Sequence, residues 1–282
     1  MKRRMRVVFH IGAHKTGSSL VQKFLRDNRP ALERKGLHYI PRRETNTLVG
    51  WGKALRNEPE RLRGRLEGVA AQTYRAAVVS HENSMGRPFV RDVPGLYPGA
   101  QHNLIALSQI LEGFDYRVVL YIRPQADFVE SCYLQTLHEG GTKTFAEWTT
   151  ELVRLEDLSW RPLVATMHEA FGADRTIVKD FNDIKLGQDE YLRRFFAAVG
   201  VDPGVAVSYK PVRNPSVSDK GMQMALAINS LIETPEQRKA ARVFLQKHFS
   251  NRSYPRPRLF TEAQRQQIAD LYDEEYRTWR FS

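Results

Sequence analysis

Short apolar runs and helix-spaced apolar positions alternate along the first two thirds of the chain. Val7-Val8-Phe9 reads as a first strand, and apolar residues recur at helical spacing from 18 to 28. Pro30 marks a turn or short helix. Residues 41–60 are polar, lack a clear period and read as a surface excursion. Arg61 to Tyr74 fits a helix, and Ala76-Ala77-Val78-Val79-Ser80 a short buried strand. Gly86 to Gly99 is rich in Gly and Pro and reads as a loop. Asn103 to Leu111 returns to helical spacing.

Tyr116 to Ile122 is the strongest strand. Its nearly unbroken apolar run is the pattern of a parallel sheet covered on both faces. Arg123-Pro124 ends it, and Ala126 to Leu137 fits a helix. Arg175 to Val178 reads as a further strand and Tyr191 to Val199 as a helix. From about Ser218 the chain is helical: 218–232, 236–249 and 262–276. Thr261 and Gln264 stand in capping-box positions at the last start. Alternating strands and helices predict an α/β fold with a central parallel sheet flanked by helices. The expected organisation is one domain over 1–282, with a helical C-terminal region from about 218.

Composition narrows the class. Of 282 residues, 41% are hydrophobic and 27% charged, as in ordinary globular proteins. The single cysteine, Cys132, excludes an intrachain disulfide and reads as a small buried residue. No apolar stretch approaches the roughly 20 residues of a membrane helix. The basic N-terminus is followed by too short an apolar run for a signal peptide. A cytoplasmic protein without a membrane span is expected. The net charge of +11 favours anionic partners, but the basic residues are spread out. They form no aromatic-interleaved blocks, so nucleic acid is not an expected partner. His38, His102, His138, His168 and His248 have no metal-ligand spacing, so no metal site is expected. Trp148 and Trp160 read as core.

The chemistry starts at the first strand's end. Phe9-His10-Ile11-Gly12-Ala13-His14-Lys15-Thr16-Gly17-Ser18-Ser19-Leu20 is strand, glycine-containing turn and helix start. That arrangement turns backbone N–H groups and a helix N-terminus toward a phosphate. Gly12 and Gly17 have the spacing of a Walker A loop, yet Ser18 stands where that loop has its lysine. The lysine lies inside the loop, at Lys15. Such a loop suits a 5′-phosphate carrying one transferable group, with the lysine neutralising charge on the bridging oxygen and no obligatory metal.

Here the chain resembles the sulfotransferases that use 3′-phosphoadenosine 5′-phosphosulfate (PAPS), in particular their bacterial branch. Lys15-Thr16-Gly17-Ser18-Ser19 matches their K-[ST]-G-[ST]-[ST] loop at every position. His10-Ile11-Gly12 and Gln22 are also similar to the bacterial branch, while His14 stands where Pro or another non-basic residue is expected. The family's second signature is an Arg at a strand end and a Ser eight positions on, which Arg123 and Ser131 match. Arg213-Asn214-Pro215-Ser216 resembles a late Arg-Asn-x-Ser element, although Ser218 is also a good helix N-cap.

The resemblance implies a P-loop-like fold and transfer of a sulfuryl group from PAPS to an acceptor hydroxyl or amine, leaving 3′,5′-ADP. The acceptor would be a glycan or another small molecule. The resemblance implies that Lys15, Thr16, Gly17, Ser18 and Ser19 hold the 5′-phosphosulfate. It gives Arg123 and Ser131 the 3′-phosphate, and Arg213 a further cofactor contact. It also implies an acceptor-side base just past a strand end, where Ser80-His81-Glu82-Asn83 offers two candidates. Glu82 is favoured over His81 and needs a pKa raised toward neutrality to act well. Two other readings stay open: a P-loop small-molecule kinase, which would need a lysine after Gly17 and a Walker B aspartate, and a non-catalytic nucleotide-binding protein. The segments 36–75 and 136–165 match no motif.

Overall fold

The computed structural model describes residues 5–204 and 216–280. Five strands form one parallel sheet among them: β1 (Arg6–His10), β2 (Leu37–Ile40), β3 (Ala76–Ser80), β4 (Asp115–Ile122) and β5 (Thr176–Asp180). The order across the sheet is β2-β3-β1-β4-β5, and every pairing is parallel. Successive residues of β1 point to opposite faces. Val7 and Phe9 join one apolar cluster and Val8 the other. Both faces are therefore dry, which is why these strands are apolar throughout.

Helices cover the two faces. α1 (Ser18–Asp27) and α2 (Arg29–Arg34) precede β2, and α3 (Arg42–Val49), α4 (Lys53–Asn57) and α5 (Pro59–Ala70) follow it. α6 (Ala100–Leu111) and α7 (Gln125–His138) flank β4, and α8 (Phe145–Leu152) and α9 (Arg161–Phe171) lead to β5. α10 (Gln188–Ala198) follows β5. α11 (Asp219–Asn229), α12 (Pro235–His248) and α13 (Glu262–Arg280) form the C-terminal region. α1, α2 and α10 pack on one face through Val21, Phe24, Leu32 and Phe195. The other face takes α5, α6, α7 and α9, and the C-terminal helices join that same cluster through Leu245, Ile268 and Tyr272.

Several expectations change. Residues 41–60 are not a featureless excursion. They hold α3 and α4, which bury Thr45, Leu48, Val49, Ala54 and Leu55. Each helix is too short to show a period in a window of about 11–18 residues, and Gly50-Trp51-Gly52 breaks the register between them. β2 escaped notice because His38 and Tyr39 interrupt a four-residue apolar run, although all four residues are buried. α8 and α9 lie within the motif-free segment 136–165. Thr144 and Glu147 form a reciprocal capping box that marks the start of α8. The expected capping bonds between Thr261 and Gln264 are present. Ser218 caps α11 by accepting from the Gly221 N–H. Cys132, Trp148 and Trp160 are buried, as their apolar character predicts.

The sheet order places the functional edge. β1 connects back toward β3 and β2, whereas β4 connects outward to β5. The loops after β1 and β4 therefore diverge between neighbouring strands. That crevice at the C-terminal edge is where open parallel sheets take ligands.

Candidate functional site

The loop after β1 is held from within. It runs beside β4 for three residues: Ile11 and Gly12 donate to the Val119 carbonyl, and Ala13 to that of Tyr121. Thr16 is buried, and its hydroxyl donates to the Ala13 carbonyl at 2.6 Å. The Tyr191 hydroxyl donates to the Thr16 carbonyl at 2.8 Å. Gly17 turns the chain into α1 with φ +86°, and a Cβ there would stand 3.0 Å from the Tyr191 hydroxyl. Carbonyls and the Thr16 side chain are thus used inside the protein. The N–H groups of Thr16, Gly17, Ser18 and Ser19 donate to no protein acceptor among the described residues. They lie at the positive end of α1, so the loop presents free donors and a favourable dipole to an anion.

Lys15 and Arg123 converge on this loop. The Arg123 Nη1 donates to the Lys15 carbonyl at 3.0 Å. Lys15 has φ 62°, and its Nζ donates to Gln135 Oε1 at 3.2 Å. The residue is solvent-accessible yet crowded by protein, and this desolvation lowers its pKa; Cys132 and Glu139 oppose the shift and the Arg123 charge adds to it. Arg123 is only 7% exposed. Its guanidinium lies 5.1 Å from the Phe181 ring centroid, and the Trp160 Nε1 donates to its carbonyl at 3.0 Å. Asp127 approaches it only to 3.9 Å, and Arg123 Nε is buried with no hydrogen-bond partner. Burial and the nearby Arg256 charge both lower its pKa. A buried cation with an unmatched donor, beside free loop N–H groups, is an incomplete arrangement that an anion completes.

Ser131 is half-buried on α7, one helical turn before Gln135, so it faces the same side as the residue that holds Lys15. It hydrogen-bonds to neither Lys15 nor Arg123 in this structure. Arg213 lies outside the described residues. Among the described residues, no group of three or more His, Cys, Asp or Glu side chains is placed to hold a metal ion, and no helix is long and apolar enough to cross a membrane.

The two base candidates differ sharply in their surroundings. His81 is 1% exposed, with its ring Nε2 3.1 Å from Asn46 Oδ1. Burial and the Arg42 charge push its pKa down to about 4, so its imidazole is neutral at neutral pH. Glu82 opens a single helical turn after β3 and keeps 16% of its side chain exposed. Its Oε2 accepts from Gln22 Nε2 at 2.9 Å and from the Arg42 guanidinium, which also reaches Gln22 Oε1. Burial alone would raise the Glu82 pKa. Arg42 outweighs burial and holds it down at about 2. The expectation of a pKa raised toward neutrality is therefore reversed. Arg42 was missed because it sits in the polar segment that shows no period. Its place just past the end of β2 carries no sequence signal while β2 itself goes unread.

No protein-family model and no curated protein matches the chain. Solved structures similar to it include a sulfotransferase from Alicyclobacillus acidocaldarius, at 15% identity and TM-score 0.47, covering 82% of this chain and 98% of that one. Retinol dehydratase in complex with androsterone and the inactive cofactor PAP is similar at 11% identity and TM-score 0.36, covering 95% and 80%. Retinol dehydratase in a complex with retinol and PAP is similar at 12% identity and TM-score 0.34, covering 99% and 81%. At such distances residue roles rest on this chain's own geometry.

The Arg42–Glu82 pair predicts an acid-sensitive contribution to stability. A carboxyl with a folded pKa of about 2, against an ordinary 4.5, stabilises the native state fully above about pH 4.5. That contribution, up to about 3 kcal/mol, is lost as pH falls from 4.5 toward 2. Urea unfolding of wild type and Glu82→Gln across this range should show the wild type losing its advantage as pH falls. A difference independent of pH would contradict the lowered pKa.

Proposed function

We propose that this protein is a sulfotransferase that moves a sulfuryl group from PAPS to a hydroxyl or amine of an acceptor. The observation that carries this reading is the junction of Lys15 and Arg123. A lysine stands inside the loop, and a buried arginine with an unmatched Nε is bonded to that lysine's carbonyl. Two cationic sites held in fixed relation suit a nucleotide with phosphate at both the 5′ and 3′ positions.

When bound, the phosphosulfate anhydride supplies a sulfuryl group already activated for transfer. The residues of the chain divide the remaining work. Thr16, Gly17, Ser18 and Ser19 bind the 5′-phosphate through backbone N–H groups at the start of α1. Lys15 neutralises charge on the bridging oxygen as that oxygen leaves sulfur. Arg123 binds the 3′-phosphate through its free Nε, with Ser131 as a second donor from α7 and Arg213 as a further contact. The acceptor oxygen forms the new bond to sulfur as the bridging bond breaks, in line and without a covalent enzyme intermediate.

Glu82 receives the acceptor's proton. It stays ionised at neutral pH because Arg42 stabilises its charge. A carboxylate so stabilised is a weak base toward an intact hydroxyl. It takes the proton late, as the new S–O bond acidifies the acceptor oxygen. His81 is buried and bonded toward Asn46, which suits it to hold the turn that carries Glu82.

Two experiments test this reading. Thermal shift should show 3′,5′-ADP stabilising the protein far more than ADP does, by the relation between ligand affinity and stability. Arg123→Ala should erase the difference. Equal stabilisation of the wild type by both nucleotides would remove the 3′-phosphate assignment. Turnover is then followed by mass spectrometry of acceptors incubated with PAPS, seeking the sulfate increment. Glu82→Gln should bind 3′,5′-ADP normally and lose roughly 100-fold in rate, the low end for a positioned base because its pKa is so depressed, while His81→Ala keeps a substantial part. The opposite ranking would move the base to His81.

A further inference from the structure

Backbone strain gathers at one point beside the loop. Among the described residues, the non-glycine residues with positive φ are Lys15 at 62°, Trp51 at 57°, Asp92 at 60° and Tyr97 at 55°. Three of these meet around His14. The His14 ring is near-parallel to those of Trp51 and Tyr97, with each centroid 5.7 Å away and interplanar angles of 20° and 25°. Bulky residues in the left-handed region persist only where the surroundings fix them, and they cluster at functional sites.

The stack is built outward from the core. Tyr97 is 2% exposed, and its hydroxyl accepts the His14 backbone N–H at 2.7 Å and meets His14 Nδ1 at 2.9 Å. His14 Nε2 lies 3.1 Å from Asn83 Oδ1. Desolvation lowers the His14 pKa, so the ring is neutral at neutral pH: the Tyr97 O–H donates to Nδ1, and Nε2–H donates to Asn83. Trp51 stacks with His14 and is itself 51% exposed. Gly50 and Gly52 on either side of Trp51 have φ of 47° and 79°. The chain makes a left-handed turn whose middle residue alone carries a side chain, and that side chain is an indole turned to solvent. The stack on His14 accounts for the covered half of the indole, and a glycine would fit the turn with less strain, so the exposed half has no packing role.

The histidine on which this indole stacks has polar neighbours. The turn of Gly50–Gly52 packs against the turn of Glu82–Met85. Asn83 lies at the edge of the stack, Lys15 follows His14, and the charge of Glu82 is felt at both His14 and Lys15. A flat apolar acceptor would need apolar walls. A sugar ring has one face of C–H groups and a rim of hydroxyls, which suits an exposed indole stacked on a histidine whose neighbours are Asn83 and Lys15.

We propose that the outer face of Trp51 is an acceptor platform that takes the C–H face of a pyranose ring and presents a ring hydroxyl between Lys15 and Glu82. The substrate class is therefore a carbohydrate. This inference rests on the sulfuryl-transfer reading for its placement of the reacting hydroxyl, but ring binding is measured apart from transfer.

The test is saturation-transfer NMR on the full chain with 3′,5′-ADP present. The probes are methyl α-glucoside, methyl β-galactoside and lactose, with 2-naphthol as the apolar comparison. Thermal shift with 3′,5′-ADP is run on the same preparations. The wild type should transfer saturation to the ring C–H protons of at least one saccharide. Trp51→Phe should keep most of that binding and Trp51→Gly should weaken it roughly tenfold or more. Both variants should keep the response to 3′,5′-ADP. Saccharide binding by a wild type that gives no 3′,5′-ADP response would keep the carbohydrate platform and remove the transfer reading. Absence of saccharide binding, binding of 2-naphthol alone, undiminished saccharide binding by Trp51→Gly, or loss of the 3′,5′-ADP response in that variant would each overturn the platform.

Discussion

The hydrogen bond from the Arg123 guanidinium to the Lys15 carbonyl joins two segments 108 residues apart in sequence. It requires that β1 and β4 be neighbours, that the loop after β1 turn back over the end of β4, and that Arg123 be buried. Each requirement is met by a different part of the chain. The loop is pinned to β4 by the N–H groups of Ile11, Gly12 and Ala13. Trp160 fixes the Arg123 carbonyl, and Phe181 covers the guanidinium. Glu275 of α13 in turn accepts the Trp160 backbone N–H at 2.6 Å, and Tyr276 hydrogen-bonds to Asp180 at the end of β5. The C-terminal helix thereby braces the arginine from more than a hundred residues away. Buried charge without full pairing is costly. That so much structure holds it in place fits a site whose anionic ligand completes the pairing.

The proposed anion and acceptor sides were legible in the sequence to different degrees. Lys15-Thr16-Gly17-Ser18-Ser19 and Arg123 follow strong apolar runs, so their place at strand ends could be read from pattern, whereas Ser131 on α7 was singled out only by the family's spacing. Four of the five strands and most helices were equally plain, since long or dry elements give a clear period, while β2 with its His38 was not. Nor were Arg42, Asn46 and Trp51. Arg42 and Asn46 lie on the eight-residue α3 and Trp51 in the turn between it and the five-residue α4, where no period develops. Their meaning comes from tertiary contacts with Gln22, Glu82, His81 and His14, which no local pattern encodes. Tyr97 likewise sits in a segment correctly read as a loop, yet its hydroxyl fixes the residue next to the lysine.

Electrostatics links the two sides. Glu82 is ionised because Arg42 outweighs its burial, and its charge opposes the desolvation of Lys15 and His14. Burial lowers the Lys15 pKa, and neither base candidate is near neutrality: Glu82 is held at about 2 and His81 at about 4. An account of transfer must therefore rely chiefly on charge stabilisation at the leaving oxygen, with proton removal following.

That reliance makes Lys15 the decisive residue. The direct measurement is the rate of 3′,5′-ADP release from PAPS by Lys15→Ala, set beside the affinity of the same variant for 3′,5′-ADP. The account predicts a rate lower by roughly 100- to 1,000-fold with an affinity changed far less, because the lysine acts mainly as charge develops on the bridging oxygen. A variant that turns over at a near-normal rate, or loses affinity in full proportion to rate, would contradict it.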